Sequence, residues 1–262
     1  MNGQTGDDSR KPKCLLDVLL KLHIEDEVLD EEGVRQERSG HIYFGGNFLI
    51  NIYPSKLKQT HINLKCVQGH ETVAVAVKWA LYLIGLYPEV QEKIHQELDS
   101  VLGADSKGPL RVADLNELKY LECVLKKCFR LYPPAALFAR KTSEEISICG
   151  YTIPNRTTVA VSPFLVHREE DVFPDAEKFD PERFLPKNSA LIPECAYIPF
   201  AAGPRNCIGH TFAEIEVKVL VCHILKNFSL HSLDSRDQVL PIVKITLQSS
   251  QPARIKFRRR QQ

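Results

Sequence analysis

Apolar and polar positions alternate along this chain in more than one rhythm, and each rhythm predicts a different element. From Val73, the run VAVAVKWALYLIGLY is apolar on nearly every side and predicts a helix buried all round. Pro88 suits the first turn of a new helix, PEVQEKIHQELDSVLG, whose apolar positions keep helical spacing until Gly103 ends it. A third helix is expected over LNELKYLECVLKKCFRLYPP, stopped by Pro133 and Pro134. The rhythm shortens to strands in ISICGYTI and TTVAVSPF, on either side of Pro154-Asn155. After a proline-punctuated loop, Ile208, Phe212, Ile215, Val219, Leu220 and Ile224 fall on one helical face. The tail RIKFRRRQQ reads as a last strand with a solvated basic end. Nearer the amino terminus, CLLDVLLKLHI predicts a short helix around Leu15 to Leu22. Residues 38–66 contain Gly45-Gly46 and Pro54 without a sustained period, and read as loop or irregular strand. The sum is a mainly α chain with a small β portion.

Composition narrows the class without naming it. The chain has 262 residues, 44% hydrophobic and 26% charged, which is enough to bury a core and ordinary for a globular protein. A formal net charge of +1 gives no field that would draw nucleic acid. Eight cysteines are scattered without a CxxC pair, which favours a reducing compartment over a disulfide framework. The opening MNGQTGDDSRKPK has no signal-peptide core, and no apolar run approaches the ~18–20 residues of a membrane span. On these grounds the chain is expected to be soluble or held to a membrane peripherally.

The most informative stretch is FAAGPRNCIG, Phe200 to Gly209. Cys207 stands at the expected start of a helix, where free N–H groups and the dipole favour an ionised sulfur. Gly203 and Gly209 permit a tight turn and the close approach of something flat, Arg205 offers a donor to a carboxylate, and Phe200 can shield the sulfur. A flat group bearing carboxylates and a metal that accepts one thiolate describes haem (heme, iron protoporphyrin). Two other readings of the residues stand beside it. One is a core cysteine at a helix start. The other is zinc held by Cys207, His210, Cys222 and His223, but on one helix the 15 residues from Cys207 to Cys222 span about 22 Å, too far for tetrahedral ligands to converge.

The spacing F-x-x-G-x-R-x-C-x-G resembles the haem-binding signature of the cytochrome P450 superfamily. YLECVLKKCFRLYPP, LFAR and FDPERF resemble that family's other motifs in order and spacing, most closely in the branch that hydroxylates fatty-acid chains. The resemblance covers roughly residues 67–260 and implies the carboxy-terminal half of the cytochrome P450 fold. It implies a haem-thiolate monooxygenase that inserts one oxygen atom from O2 into an apolar substrate such as a fatty acid. Cys207 would ligate the iron, Arg140 and Arg205 would hold the propionates, and Phe200, Gly203 and Gly209 would shape the thiolate loop. GHET, Gly69 to Thr72, resembles the acid–alcohol pair of the distal helix, so Glu71 would relay protons and Thr72 would bond the bound oxygen. An NADPH-dependent reductase is the implied electron donor. The implied location is the cytosolic face of the endoplasmic reticulum membrane, although this chain shows no anchor and on its own reads as cytoplasmic.

The sequence departs from the family pattern in three places. The helix motif E-x-x-R has its arginine in Arg130, and PERF supplies Arg183, but Lys127 stands where the glutamate is expected. Three cations would then meet without their anion, a conflict worth more than the ~3–5 kcal/mol of removing one partner from a buried pair. Gln68 occupies the position of a glutamate that esterifies haem in this branch, so haem would be held non-covalently. Finally, family members run to about twice this length. Residues 1–37 thus read as a polar start leading to the distal helix, 38–66 as an inserted irregular segment, and 67–262 as the haem-binding part. A truncated, inactive haem- or reductase-binding chain and an unrelated helical interaction domain remain the competing classes.

Overall fold

The computed structural model describes residues 57–103 and 110–260, with side chains from Gly69 onward. The expected helix at Leu15 to Leu22 and the acidic run after it lie outside the described residues. The chain divides into two compact units, Met1–Glu71 and Thr72–Gln262. In the first, the described residues are helical.

Helix α1 (Leu57–Leu86) begins inside the segment expected to be loop. The stretch LKQTHINLKC lies past Pro54 and contains neither glycine nor proline, so nothing in its local chemistry opposes a helix, even though it lacks an apolar stripe. From Val73 the helix is buried on most sides, as its composition predicts: Trp79, Ala80, Tyr82, Leu83 and Ile84 are all 0–1% exposed. Its Trp79 Nε1–H donates to the carbonyl of Leu247 at 2.7 Å, and the indole stacks on Tyr132 at 4.1 Å. Helix α2 (Pro88–Leu102) follows, with proline in its first turn and Gly103 ending it at φ +76, both as expected.

The single third helix expected from the sequence is two. Helix α3 (Val112–Glu117) and helix α4 (Lys119–Leu131) are separated at Leu118. A carboxylate from another element causes the restart: Glu97 of α2 accepts the N–H groups of Tyr120 (2.6 Å) and Leu121 (2.9 Å), which a continuous helix would have used internally. Strands β1 (Phe138–Lys141) and β4 (Thr158–Val161) pair antiparallel and enclose the hairpin of β2 (Ile146–Ile148) and β3 (Tyr151–Ile153). Positive φ at both Cys149 (49°) and Gly150 (82°) makes that tight turn.

Short helices α5 (Pro163–Val166) and α6 (Pro186–Ser189) flank an irregular stretch, and α7 (His210–Asn227) follows the cysteine loop. The chain ends in two more antiparallel ribbons, β5 (Phe228–Ser232) with β8 (Ile255–Arg259), and β6 (Pro241–Val243) with β7 (Leu247–Ser249).

The face that α7 buries differs from the one expected. Ile208 (81%), Phe212 (72%), Ile215 (41%) and Leu220 (41%) are exposed, and Val219 and Ile224 are half-buried. Val217, Val221, Cys222 and Leu225 are buried instead, against α2 and α4. Helix α7 carries apolar residues around most of its circumference, so its own sequence leaves the choice of face to its neighbours.

Candidate haem-thiolate site

The cysteine loop is built by backbone geometry. The Cys207 N–H donates to the carbonyl of Phe200 at 2.9 Å, closing the segment on itself. Ala201 (φ 60) and Gly203 (φ 77) take left-handed conformations within it, and Asn206 N–H reaches back to Gly203 at 3.1 Å. Gly203 is therefore a conformational requirement. Gly209 is not left-handed (φ −91), and a Cβ there would lie 4.0 Å from the Cys207 sulfur, in ordinary contact, so this position does not demand glycine in the chain as it stands. Cys207 does not begin the helix as expected: α7 starts at His210, whose N–H donates to the Cys207 carbonyl at 3.3 Å. The turn at 208–209 intervenes, so the sulfur precedes the helix end.

The loop opens on an apolar cavity of about 240 Å³, to which several elements contribute. Helix α1 supplies Thr72, Val73 and Ala76, α4 supplies Phe129, β1 supplies Phe138 and Arg140, and α7 supplies Ala213 and Val217. Phe200, Arg205 and Cys207 come from the loop itself. Of the eight site residues expected from the sequence, Thr72, Arg140, Phe200, Arg205 and Cys207 thus meet around one space. Gly203 and Gly209 lie in the loop that frames it. Glu71 is half-buried in α1, one residue outside the unit that encloses the cavity. Phe200 stacks on His210 (4.1 Å) and meets Phe129 edge-on (5.8 Å), which fixes one side of the loop. Arg140 donates from Nη2 to the Arg205 carbonyl at 3.0 Å, tying β1 to the loop. The Arg205 guanidinium is exposed and has no protein acceptor among the described residues.

These residues fit haem. An exposed thiol stands at the rim of a mostly hydrocarbon space, and two guanidinium groups border the same cavity with capacity for carboxylates. Among the described residues no group of three or more His, Cys, Asp or Glu could hold a metal ion, so the zinc reading has no ligand set there.

A support missing from the sequence reading is His167, which is fully buried. The Ile198 N–H donates to its Nε2 at 2.8 Å, so Nδ1 must carry the proton that reaches the Arg130 carbonyl at 3.2 Å. Burial, with Arg130 and Arg168 nearby, pushes its pKa down to about 4, and the ring stays neutral. His167 thereby links the end of α4 to the run-in of the cysteine loop. Nothing at short range marks it, because its partners are backbone atoms distant in sequence.

The expected conflict at Lys127 is present. Lys127 and Arg130 are both 0% exposed, and Lys127 Nζ, Arg130 Nε and Arg183 Nε are buried without an acceptor. Burial, then Arg130 and Arg183, drive the Lys127 pKa down to about 6, and burial with Arg183 lowers Arg130 to about 10. Arg130 still directs Nη1 and Nη2 to the carbonyls of His167 and Ala176, and Arg183 Nη2 donates to Pro174 at 2.6 Å.

A helical scaffold that frames a single cysteine at an apolar cavity with flanking arginines defines a haem-thiolate class of protein. Comparison with known proteins identifies the family: the cytochrome P450 family model matches residues 54–257, and the chain belongs to that family. Cytochrome P450 4V2 of Rattus norvegicus is 44% identical over 193 residues, covering 74% of this chain and 37% of the relative. The Mus musculus protein of the same name is 38% identical across 95% of this chain and 43% of its own length. Cytochrome P450 4c3 of Drosophila melanogaster is 34% identical across 96% of this chain and 43% of its own. Among solved structures, the cytochrome P450 CYP102L1 superposes with a TM-score of 0.71 at 27% identity, covering 77% of this chain and 45% of that one. The fold is the cytochrome P450 fold, of family 4 type, and haem is the cofactor of this family and fold. The chain spans less than half the length of these curated relatives.

Proposed function

We propose that this chain is the haem-binding part of a monooxygenase that inserts one oxygen atom into an apolar substrate such as a fatty acid. The observation that carries the reading is the convergence of Cys207, Arg140, Arg205 and Thr72 on one apolar cavity. Bound there, haem would supply oxygen activation, with a thiolate donating electron density to its iron. The chain's own residues do the rest. The backbone bond between Cys207 and Phe200 fixes the turn that carries the sulfur, and the Phe200 ring is held against His210 at its side. Arg140 and Arg205 would hold the two propionates as charge-assisted donors. Thr72 borders the cavity with a hydroxyl that can both donate and accept, and Glu71, beside it in sequence, would relay protons towards it. The side chains of Val73, Ala76 and Val217 keep the space dry and suit an apolar substrate.

Electrons would come from an NADPH-dependent reductase on the cysteine-bearing side, and the setting would be the endoplasmic reticulum membrane. Among the described residues no single helix is long and apolar enough to cross a membrane, and the one pair that passes together, Gly69–Leu86 and Pro88–Leu102, is bent by 108°. The test is haem reconstitution of the purified chain followed by reductase-supported turnover of a long-chain fatty acid. Hydroxylated product that is absent from Cys207→Ser supports the reading, and haem binding without product limits it to the cofactor. The buried, unsatisfied donors around Lys127 favour a second reading, an inactive haem- or reductase-binding chain. Reductase binding without turnover would select it.

A further inference from the structure

The cluster around Lys127 has a chemistry of its own. Its three unsatisfied atoms, Lys127 Nζ, Arg130 Nε and Arg183 Nε, are all donors. Lys127 and Arg130 share one face of α4 at a spacing of three residues, and the guanidinium carbons of Arg130 and Arg183 lie 5.0 and 6.0 Å from the centre of the same Phe173 ring. The positive charges of Arg130, Arg183 and Arg236 all disfavour a proton on Lys127, and Arg183, Arg168 and Arg236 act on Arg130 in the same sense. Among the described residues, Asp180 favours the charged form of Lys127 and Glu177 that of Arg130, but neither carboxylate accepts a hydrogen bond from the three unsatisfied atoms. Glu177 accepts from Arg168 at 2.6 Å and also from Arg236, while Asp180 Oδ1 accepts the Glu182 N–H at 3.0 Å. The cluster therefore has surplus positive charge and three buried donors that no protein acceptor reaches. Weakly hydrated guanidinium groups with free N–H donors select a small anion that can shed its water.

We propose that this cluster binds one small monovalent anion, such as a halide, held by Lys127 Nζ and the Nε–H groups of Arg130 and Arg183. The anion takes the place of a protein carboxylate and keeps Lys127 charged. Because it binds the folded chain, folding becomes linked to anion concentration. This inference concerns the stability of the chain and stands whether or not haem is bound.

The experiment is thermal unfolding of the full chain at pH 7 and fixed ionic strength, with chloride or bromide replacing bulky gluconate. Above the dissociation constant, each tenfold rise in halide should raise Tm by about 3–6 °C for a chain of this size. Lys127→Glu supplies its own carboxylate, so it should melt higher without halide and lose the halide response. Lys127→Met removes one donor and should shift the response to higher halide. Broadening of the bromide magnetic resonance line should occur with the natural chain and vanish with Lys127→Glu. Equal melting in halide and gluconate overturns the proposal. So does an undiminished response in Lys127→Glu, which would put the anion elsewhere. Failure of the natural chain to fold in saturating chloride, where Lys127→Glu folds, also overturns it.

Discussion

Replacing Lys127 with methionine should make this protein more stable, against the usual direction of a core substitution. Lys127 is 0% exposed and its Nζ has no acceptor, so without an anion the amine folds best uncharged. Its pKa falls from 10.5 to about 6. Holding it neutral at pH 7.5 therefore costs the gap of three between that pH and the ordinary value, about 4 kcal/mol at 1.36 kcal/mol per pH unit. Methionine keeps the unbranched bulk and removes the ionisable group. After an allowance for imperfect packing of the new side chain, a gain of about 2–4 kcal/mol is expected. That corresponds to a Tm increase of about 4–16 °C. The assay is urea unfolding followed by circular dichroism, alongside a thermal melt, in halide-free buffer. An unchanged or lowered midpoint for Lys127→Met would refute the reasoning, because it would mean the amine has a partner or is solvated.

The same cluster sets a pH dependence. The unfolded lysine binds a proton that the folded one releases, so stability in halide-free buffer should climb from pH 6 towards 10 and flatten in Lys127→Met. His167, held near 4 in the folded chain, adds a loss of stability as pH falls from 6.5 to 4, which His167→Gln should reduce in a melt across that range. Gly85→Ala would place a Cβ 2.6 Å from Ser232 Oγ and 3.0 Å from its backbone nitrogen, and should cost about 1–3 kcal/mol in urea unfolding. Gly203→Val forces a β-branched residue to φ +77 and should cost a similar ~1–3 kcal/mol, with faster loss of haem from the reconstituted chain read by absorbance.

Local chemistry made much of this legible. Pro88 and Gly103 bracket α2 because each suits its helix end, and the all-round apolar run after Val73 could only be a buried helix. The cysteine loop was legible because its glycine, arginine and cysteine are fixed by short-range geometry. What escaped depends on partners distant in sequence. The break at Leu118 needs a carboxylate of α2, the buried face of α7 is chosen by α2 and α4, and His167 acts through the backbone of residues 130 and 198. Lys127 stands between these cases. Its spacing from Arg130 exposed the conflict, but only the fold shows that Arg130 replaces its missing partner with carbonyls of residues 167 and 176.

The central claim is that Cys207 ligates haem in a folded chain, and the carbon monoxide difference spectrum of the reduced, reconstituted protein tests it most directly. The account predicts the red-shifted band of a thiolate-ligated haem, lost in Cys207→Ser and retained in Lys127→Met. A band at the position typical of histidine ligation, or the same spectrum from Cys207→Ser, would contradict it.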